Sequence, residues 1–264
     1  MSSFLLLVFA IHLRAEPILV AAASDLAIVE KDLLELAGGG GTEIRFTFGS
    51  SGQLASQIRN GAPYDVFLAA NEKFVTDLQA AGKVIPDTVG PYTKGRIAFW
   101  SRSNSFSLGA LGDPAVRHIA IANPAHAPYG AAAKQFLERQ ASWDKIQPKL
   151  VFAENVRQAL QFAESGNAEV AIVSWAHVKR RGGILLDASF HDPLIQAGAV
   201  VTGTKNEARA RKFLALLTGP GGQAVLNQFG FEPPIKAAAP PPPPEAKKRP
   251  KATRRSRGTA TPPK

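Results

Sequence analysis

Short apolar runs alternate with longer stretches of helical periodicity between Pro17 and Phe231. The short runs are rich in β-branched residues and predict strands at 18–22, 43–48, 65–69, 97–100, 118–122, 149–152, 170–174 and 199–202. Apolar positions three and four residues apart predict helices at 26–36, 52–60, 72–81, 131–139, 156–165, 206–217 and 221–229. A strand followed by a helix, repeated along a chain, favours parallel sheets in an α/β architecture.

The length and composition of the chain fit two folded lobes. A chain of 264 residues is long for one ordinary domain, since domains average about 150 residues. Hydrophobic residues make up 45% of the sequence and charged residues 20%, which is typical of a folded protein with a substantial core. The sequence contains no cysteine, so disulfides, thiolate metal sites and lipid attachment through an N-terminal cysteine are excluded.

The N-terminal residues form a single apolar run from Phe4 to Ile11. This run is too short to span a bilayer, which needs about 20 apolar residues. It is typical of the hydrophobic region of a secretion signal, although the usual cationic start is missing. We expect residues 1–15 to be a signal peptide and the mature protein to be soluble. An exported protein without a lipid anchor is most simply retained in a periplasm.

The basic charge of the protein is concentrated in its C-terminal tail. Residues 236–264 contain nine Lys or Arg and one acid, Glu245, so they hold +8 of the total net charge of +10. The tail also contains the proline run Pro240 to Pro244 and few apolar residues. Such a segment buries too little surface to offset its ordering entropy, and we expect it to be disordered. A solvated extension and a contact with anionic surfaces of the cell envelope both remain open.

Four junctions between a predicted strand and the next helix carry a serine or an asparagine. The first contains Ser24, the second Ser50 and Ser51, the third Asn123 followed by Pro128-Tyr129, and the fourth Asn155 followed by Val156. Each alone is explained by helix capping. In a parallel sheet, however, these junctions share the carboxyl edge where such folds bind ligands. Helix N-termini bring unpaired N–H groups there, which suits an anion.

The motifs at these junctions resemble the periplasmic molybdate-binding proteins of ABC importers. They are Ala21-Ala-Ala-Ser24, Phe48-Gly-Ser-Ser51, Gly61-Ala-Pro-Tyr-Asp65, Asn123-Pro-Ala-His-Ala-Pro-Tyr-Gly130, Glu154-Asn-Val-Arg157 and Phe229-Gly-Phe231. They occur in the family's order and cover roughly residues 17–235. The resemblance implies a two-lobed type II periplasmic binding protein of α/β class, each lobe a mainly parallel sheet flanked by helices. We expect residues 16–93 and 199–235 to form lobe 1 and residues 94–198 to form lobe 2, with crossings near 92–95 and 196–201.

The resemblance also implies an oxyanion site. Its ligands would be the hydroxyls of Ser24 and Ser51 and the backbone N–H groups of Tyr129 and Val156. The family usually places a tyrosine at the end of the strand that here reads Ala171-Ile-Val-Ser174. Ser174 is therefore a further candidate ligand, with a changed closure or a changed anion as the alternatives.

Neutral donors would favour a fully deprotonated anion. Molybdate and sulfate only accept hydrogen bonds near neutral pH, whereas monoprotonated phosphate needs an acceptor for its proton. We expect molybdate, with tungstate as a nearly isosteric second ligand, and sulfate or another oxyanion on the same fold as the alternative. The metal arrives as the oxyanion, so we expect neither a cofactor nor protein side chains bound to a metal cation. The expected partners are the transmembrane subunits of the importer, and the expected state is a monomer.

Two other classes of protein are weaker fits to this sequence. For an enzyme, Gly49-Ser-Ser-Gly52 departs from the Gly-x-Ser-x-Gly elbow, and the five histidines lack metal-ligand spacing. For a nucleic-acid-binding module, only the tail is strongly basic, and the body lacks aromatic residues placed for stacking on bases. We therefore expect neither catalysis nor nucleic-acid binding.

Overall fold

A computed structural model describes residues 16–38 and 43–234 of the chain. The predicted signal peptide at 1–15 and the predicted tail at 236–264 lie outside these residues. The strands are β1 Ile18–Ala23, β2 Ile44–Gly49, β3 Val66–Ala69, β4 Gly90–Gly95, β5 Ile97–Ser101, β6 Ile119–Ala122, β7 Leu150–Ala153, β8 Val170–Ser174, β9 Ile184–Leu185 and β10 Leu194–Val200. The helices are α1 Glu30–Ala37, α2 Ser51–Arg59, α3 Glu72–Ala80, α4 Pro128–Glu138, α5 Trp143–Ile146, α6 Val156–Ser165, α7 Trp175–Val178, α8 Glu207–Thr218 and α9 Pro220–Phe229.

The strands form two five-stranded sheets, one in each lobe. The order is β2-β1-β3-β10-β4 in the first sheet and β7-β6-β8-β5-β9 in the second. In each sheet a central strand runs parallel to both neighbours, β1 between β2 and β3 and β6 between β7 and β8. β10 and β5 then pair antiparallel with their neighbours. The two-lobed α/β fold is confirmed, with sheets that are mixed.

Every predicted strand and helix is present, with shifts of a few residues at several ends. The first predicted helix is divided into a 3-10 segment, Ser24–Val29, and α1. β4 is not among the predicted strands, because its sequence Gly-Pro-Tyr-Thr-Lys-Gly lacks apolar alternation. The short elements β9, α5 and α7 are likewise not among the predicted ones.

The boundary between the lobes differs from the predicted one on the C-terminal side. The chain passes from the first sheet to the second at Arg96, between β4 and β5, close to the predicted crossing. β10 begins at Leu194 and pairs with β3 and β4, so all of it lies in the first sheet. The return crossing therefore precedes residue 194, and residues 194–198 belong to lobe 1. β10 pairs with β4 on both sides of an irregularity between Gln196 and Ala197.

Each lobe has its own apolar core. In lobe 2, helices pack against both faces of the sheet around residues such as Ile121, Leu137 and Ile172. In lobe 1, the two faces of the sheet form separate clusters, one around Leu26 and the other around Leu54. Parallel strands buried on both faces account for the continuous apolar runs in the sequence.

Candidate functional site

A small cavity lies where the carboxyl ends of β1, β2, β6 and β7 approach one another. Both lobes line it. Ser24, Asp25 and Ser51 contribute from the first lobe, and Tyr129 and Val156 from the second. Four of the five predicted ligands therefore surround one space, although more than 100 residues separate Ser24 from Tyr129. Each of the four is at most 4% exposed.

Ser51 is oriented by a backbone group. It is the first residue of α2 and is 1% exposed. Its Oγ accepts a hydrogen bond of 2.9 Å from the backbone N–H of Ala70, just after β3. Because this bond occupies an acceptor position, the hydroxyl proton remains available to donate to a group in the cavity.

The Tyr129 N–H lies at the start of α4. Pro128 is the first residue of this helix and has no N–H, so Tyr129 carries the first N–H of the helix. N–H groups in the first turn have no partner within the helix. A Cβ on Gly130 would lie 2.0 Å from the carbonyl oxygen of Ala122, so glycine is required for the helix to begin this close to the end of β6.

The Val156 N–H is left unpaired by the cap of α6. The Asn155 side chain accepts hydrogen bonds of 3.1 Å from the N–H groups of Arg157 and Gln158. The N–H of Val156, the first residue of the helix, is not used by this cap. At the other end, Gly166 closes the helix in the left-handed conformation at φ 83°. Capping and ligand binding are thus compatible at this junction, since they use different N–H groups.

Neutral groups dominate the cavity. Among the described residues that line it, none is Lys or Arg, and Asp25 is the only carboxylate. The N-termini of α2, α4 and α6 all reach its wall through Ser51, Tyr129 and Val156. Their partial positive charges, with hydroxyl and amide donors, make a favourable environment for an anion.

Asp25 belongs to a buried hydrogen-bond network that no local sequence pattern predicts. Its Oδ2 accepts bonds from the Tyr129 hydroxyl at 2.9 Å and from Gln196 Nε2 at 2.5 Å. The Tyr92 hydroxyl donates to Gln196 Oε1 at 2.6 Å. Burial raises the pKa of Asp25 to about 6, against the opposing effect of the Gln196 and Tyr129 hydrogen bonds. The network joins lobe 2 to β4 and β10 of lobe 1.

Ser174 lies behind the cavity, next to Tyr129. It is fully buried at the end of β8 and does not line the cavity. Burial and the Asp25 carboxylate raise the pKa of the Tyr129 phenol, while the nearby Ser174 hydroxyl lowers it. A tyrosine phenol therefore does lie beside this strand end, but Tyr129 of α4 supplies it.

A second contact between the lobes lies at the start of α2. Ser50 Oγ and His126 Nδ1 are 2.9 Å apart, and the Gly52 N–H donates to the His126 carbonyl at 2.9 Å. A Cβ on Gly52 would lie within 3.0 Å of three His126 atoms. Glycine is therefore required for the lobes to approach this closely.

A wider surface groove lies at the opposite edge of the first sheet, around Tyr64 and Asp65. The Asp65 carboxylate is already bound by the N–H of Leu19 and the side chains of Thr204 and Asn206. Because these contacts tie neighbouring segments together, Asp65 has a structural role there.

The described residues contain neither a metal-ligand cluster nor a membrane-spanning helix. No group of three or more His, Cys, Asp or Glu in these residues is arranged to hold a metal ion. None of their helices is long and apolar enough to cross a membrane.

Known proteins are similar to this chain in both sequence and fold. Residues 18–232 match the model of a family described as bacterial extracellular solute-binding proteins. The molybdate-binding protein ModA of Azotobacter vinelandii is 31% identical over 83% of this chain and 90% of its own length. ModA of Escherichia coli is 31% identical over 81% of this chain and 88% of its own length. The solved structure of the A. vinelandii periplasmic molybdate-binding protein superposes with a TM-score of 0.77 at 30% identity, covering 83% of this chain and 100% of that one.

Proposed function

The chain belongs to the bacterial extracellular solute-binding protein family, and we propose that it binds molybdate as the solute-binding component of an ABC importer. The ligand would lie in the cavity between the lobes. Molybdate-binding proteins at about 31% identity over most of the chain support this choice of anion.

The observation that carries the proposal is the convergence of neutral donors from both lobes on one buried cavity. The Ser51 hydroxyl and the Tyr129 and Val156 N–H groups have no competing acceptor in the contacts described above. Together with the Ser24 hydroxyl they would surround a tetrahedral anion. A hydrogen bond to a charged group contributes about 1.5–3 kcal/mol, so four of them are compatible with micromolar or tighter binding, which needs about 8 kcal/mol.

The choice among oxyanions rests on the relatives more than on the geometry. Tungstate is nearly isosteric with molybdate, and we propose that both bind. Sulfate has the same charge and shape but is smaller, and it is the main alternative on this fold. Ser174 would act behind Tyr129, without direct contact to the anion, since it does not line the cavity.

The Ser50–His126 pair is the one observation that favours an enzyme. Its 2.9 Å separation is that of a nucleophile and its base. However, the Ser50 hydroxyl donates to Gln53 Oε1 at 2.9 Å, and no carboxylate of the described residues orients the His126 ring. We propose that this pair is a contact between the lobes and that the protein has no catalytic role.

We propose that the protein acts in the periplasm, as a monomer, and delivers its ligand to the membrane subunits of the importer. An anion held by groups of both lobes stabilises the closed form, which the importer would recognise. The basic tail would remain outside the binding site, in solution or against anionic envelope surfaces.

Thermal unfolding with a panel of oxyanions tests the proposal. A ligand that binds only the native state stabilises it by about 2.7 kcal/mol at 100 times its Kd. We expect molybdate and tungstate to raise the Tm more than equal concentrations of sulfate or phosphate. Equal shifts for all four anions would contradict the proposed selectivity, and no shift with any of them would contradict oxyanion binding.

A further inference from the structure

Asp25 places a buried carboxyl group beside a cavity that is otherwise suited to an anion. The residue lines the cavity and is 0% exposed. One carboxylate oxygen accepts hydrogen bonds from Tyr129 and Gln196, and the other, Oδ1, has no side-chain partner among the described residues. The backbone N–H groups of Asp25 and Leu26 also favour the ionised carboxylate, but less than burial disfavours it. A buried carboxylate is costly when ionised, and a second anion beside it increases that cost.

Few of the surrounding groups can offset this charge. The Tyr129 and Tyr92 phenols have pKa values raised by burial and remain neutral. In α7, burial and the nearby Arg157 and Arg181 lower the pKa of His177 to about 4, so this ring is also neutral near pH 7. The charged groups on the neighbouring helices are Arg157 and Glu164 of α6, Lys134 and Glu138 of α4 and the acidic and basic residues of α1, and Arg157 is exposed to solvent.

A dianion in the cavity would therefore change the protonation of Asp25. Burial already raises the pKa of this carboxyl to about 6 in the absence of a ligand. Two like charges about 4 Å apart in a protein interior repel each other strongly enough to raise the pKa of a carboxyl by about three units. Once protonated, the carboxyl would carry no charge, and its O–H would become a further donor.

We propose that Asp25 is an additional residue of the anion site and takes up one proton when a dianion binds. This inference rests on the proposed function. Proton uptake makes the affinity depend on pH, and the affinity should fall as the pH rises. Between about pH 6, where free Asp25 becomes ionised, and the higher pKa of the bound form, the Kd should rise about tenfold for each unit of pH. Below about pH 6 the carboxyl is already protonated, and the Kd should level off.

Calorimetry in buffers of different ionisation enthalpy measures this proton uptake directly. Sodium molybdate is titrated into the full-length protein at pH 7.5 in three such buffers, and the slope gives the protons bound per ligand. We expect about one for the wild type and for the control Asp144→Asn, which changes an exposed carboxylate in α5. For Asp25→Asn we expect none, with a Kd that no longer depends on pH.

The outcomes separate this inference from the proposed function. Tight molybdate binding by the wild type without proton uptake overturns the inference and leaves the function intact. Uptake that persists in Asp25→Asn also overturns it, because another group would be responsible. No binding of molybdate by the wild type at any pH contradicts the function itself. If Asp25→Asn does not fold, infrared difference spectra of the wild type replace it. Ligand binding must then produce the band of a protonated carboxyl, and the absence of this band overturns the inference.

Discussion

Gly52→Ala tests whether the contact between α2 and the His126 loop controls ligand affinity. A Cβ at this position would lie 2.8 Å from His126 Cβ, 2.9 Å from its carbonyl oxygen and 3.0 Å from its Cα. Two of these atoms belong to the backbone, so a change of side-chain rotamer cannot relieve the clash. The lobes of the variant should therefore close less completely around the anion.

The size of the effect follows from the cost of overpacking. An added methyl group in a tight contact costs about 1–3 kcal/mol. If this cost falls on the closed form alone, molybdate affinity should drop by about 5-fold to 150-fold. Gly52 is the second residue of α2, where alanine has the higher helix propensity, so the Tm of the ligand-free protein should stay equal or rise.

Calorimetry and stopped-flow dissociation measure the effect, with Gly38→Ala as the matched control. A Cβ added to Gly38 would have no atom of the described residues within 4 Å, and this residue has an ordinary φ of −70°. We expect the control to bind like the wild type. An unchanged Kd for Gly52→Ala would refute the role of this contact in closure. A fall in the Tm of its ligand-free form would show that the contact is also required for folding.

Three further predictions concern the site, the tail and pH. Ser51→Ala should weaken molybdate binding at least tenfold in calorimetry, and it should lower the free energy of unfolding by about 1–3 kcal/mol because the Ala70 N–H loses its acceptor; wild-type affinity would remove Ser51 from the site. Truncation after residue 235 should leave molybdate affinity unchanged, whereas a nucleic-acid-binding module would lose its activity with the tail. The native pKa of Asp25, raised from 3.8 to about 6, gives a stability contribution that is present below pH 3.8 and lost as the pH rises through 6. Denaturant unfolding should therefore show Asp25→Asn gaining about 3 kcal/mol relative to the wild type between pH 3.5 and pH 8, and a constant difference would refute the burial of this charge.

Local sequence signals predicted the junctions that form the cavity. The side-chain oxygen of Asn155 caps α6, and Pro128, which has no N–H, begins α4. Ser24 and Ser51 were expected to converge because parallel strands place their carboxyl ends at one edge, and both line the cavity. Such signals act over a few residues, so they can be recognised in a single sequence.

The remaining features depend on contacts between distant residues. Gln196 reaches Asp25 across 171 positions, and nothing in the residues around it indicates this bond. β4 is a strand because β10 pairs with it, although its glycines and proline favour a turn. Likewise, the phenol beside Ser174 belongs to Tyr129, which is in α4 and not in β8. The sequence at the end of β8 alone therefore does not indicate it.

A crystal structure with sodium molybdate, phased with the anomalous signal of molybdenum, tests the central claim most directly. We predict one molybdenum peak in the cavity between the lobes, with its oxygens bound by the hydroxyls of Ser24 and Ser51 and by the N–H groups of Tyr129 and Val156. A peak elsewhere, or these four donors directed away from the anion, would contradict the account.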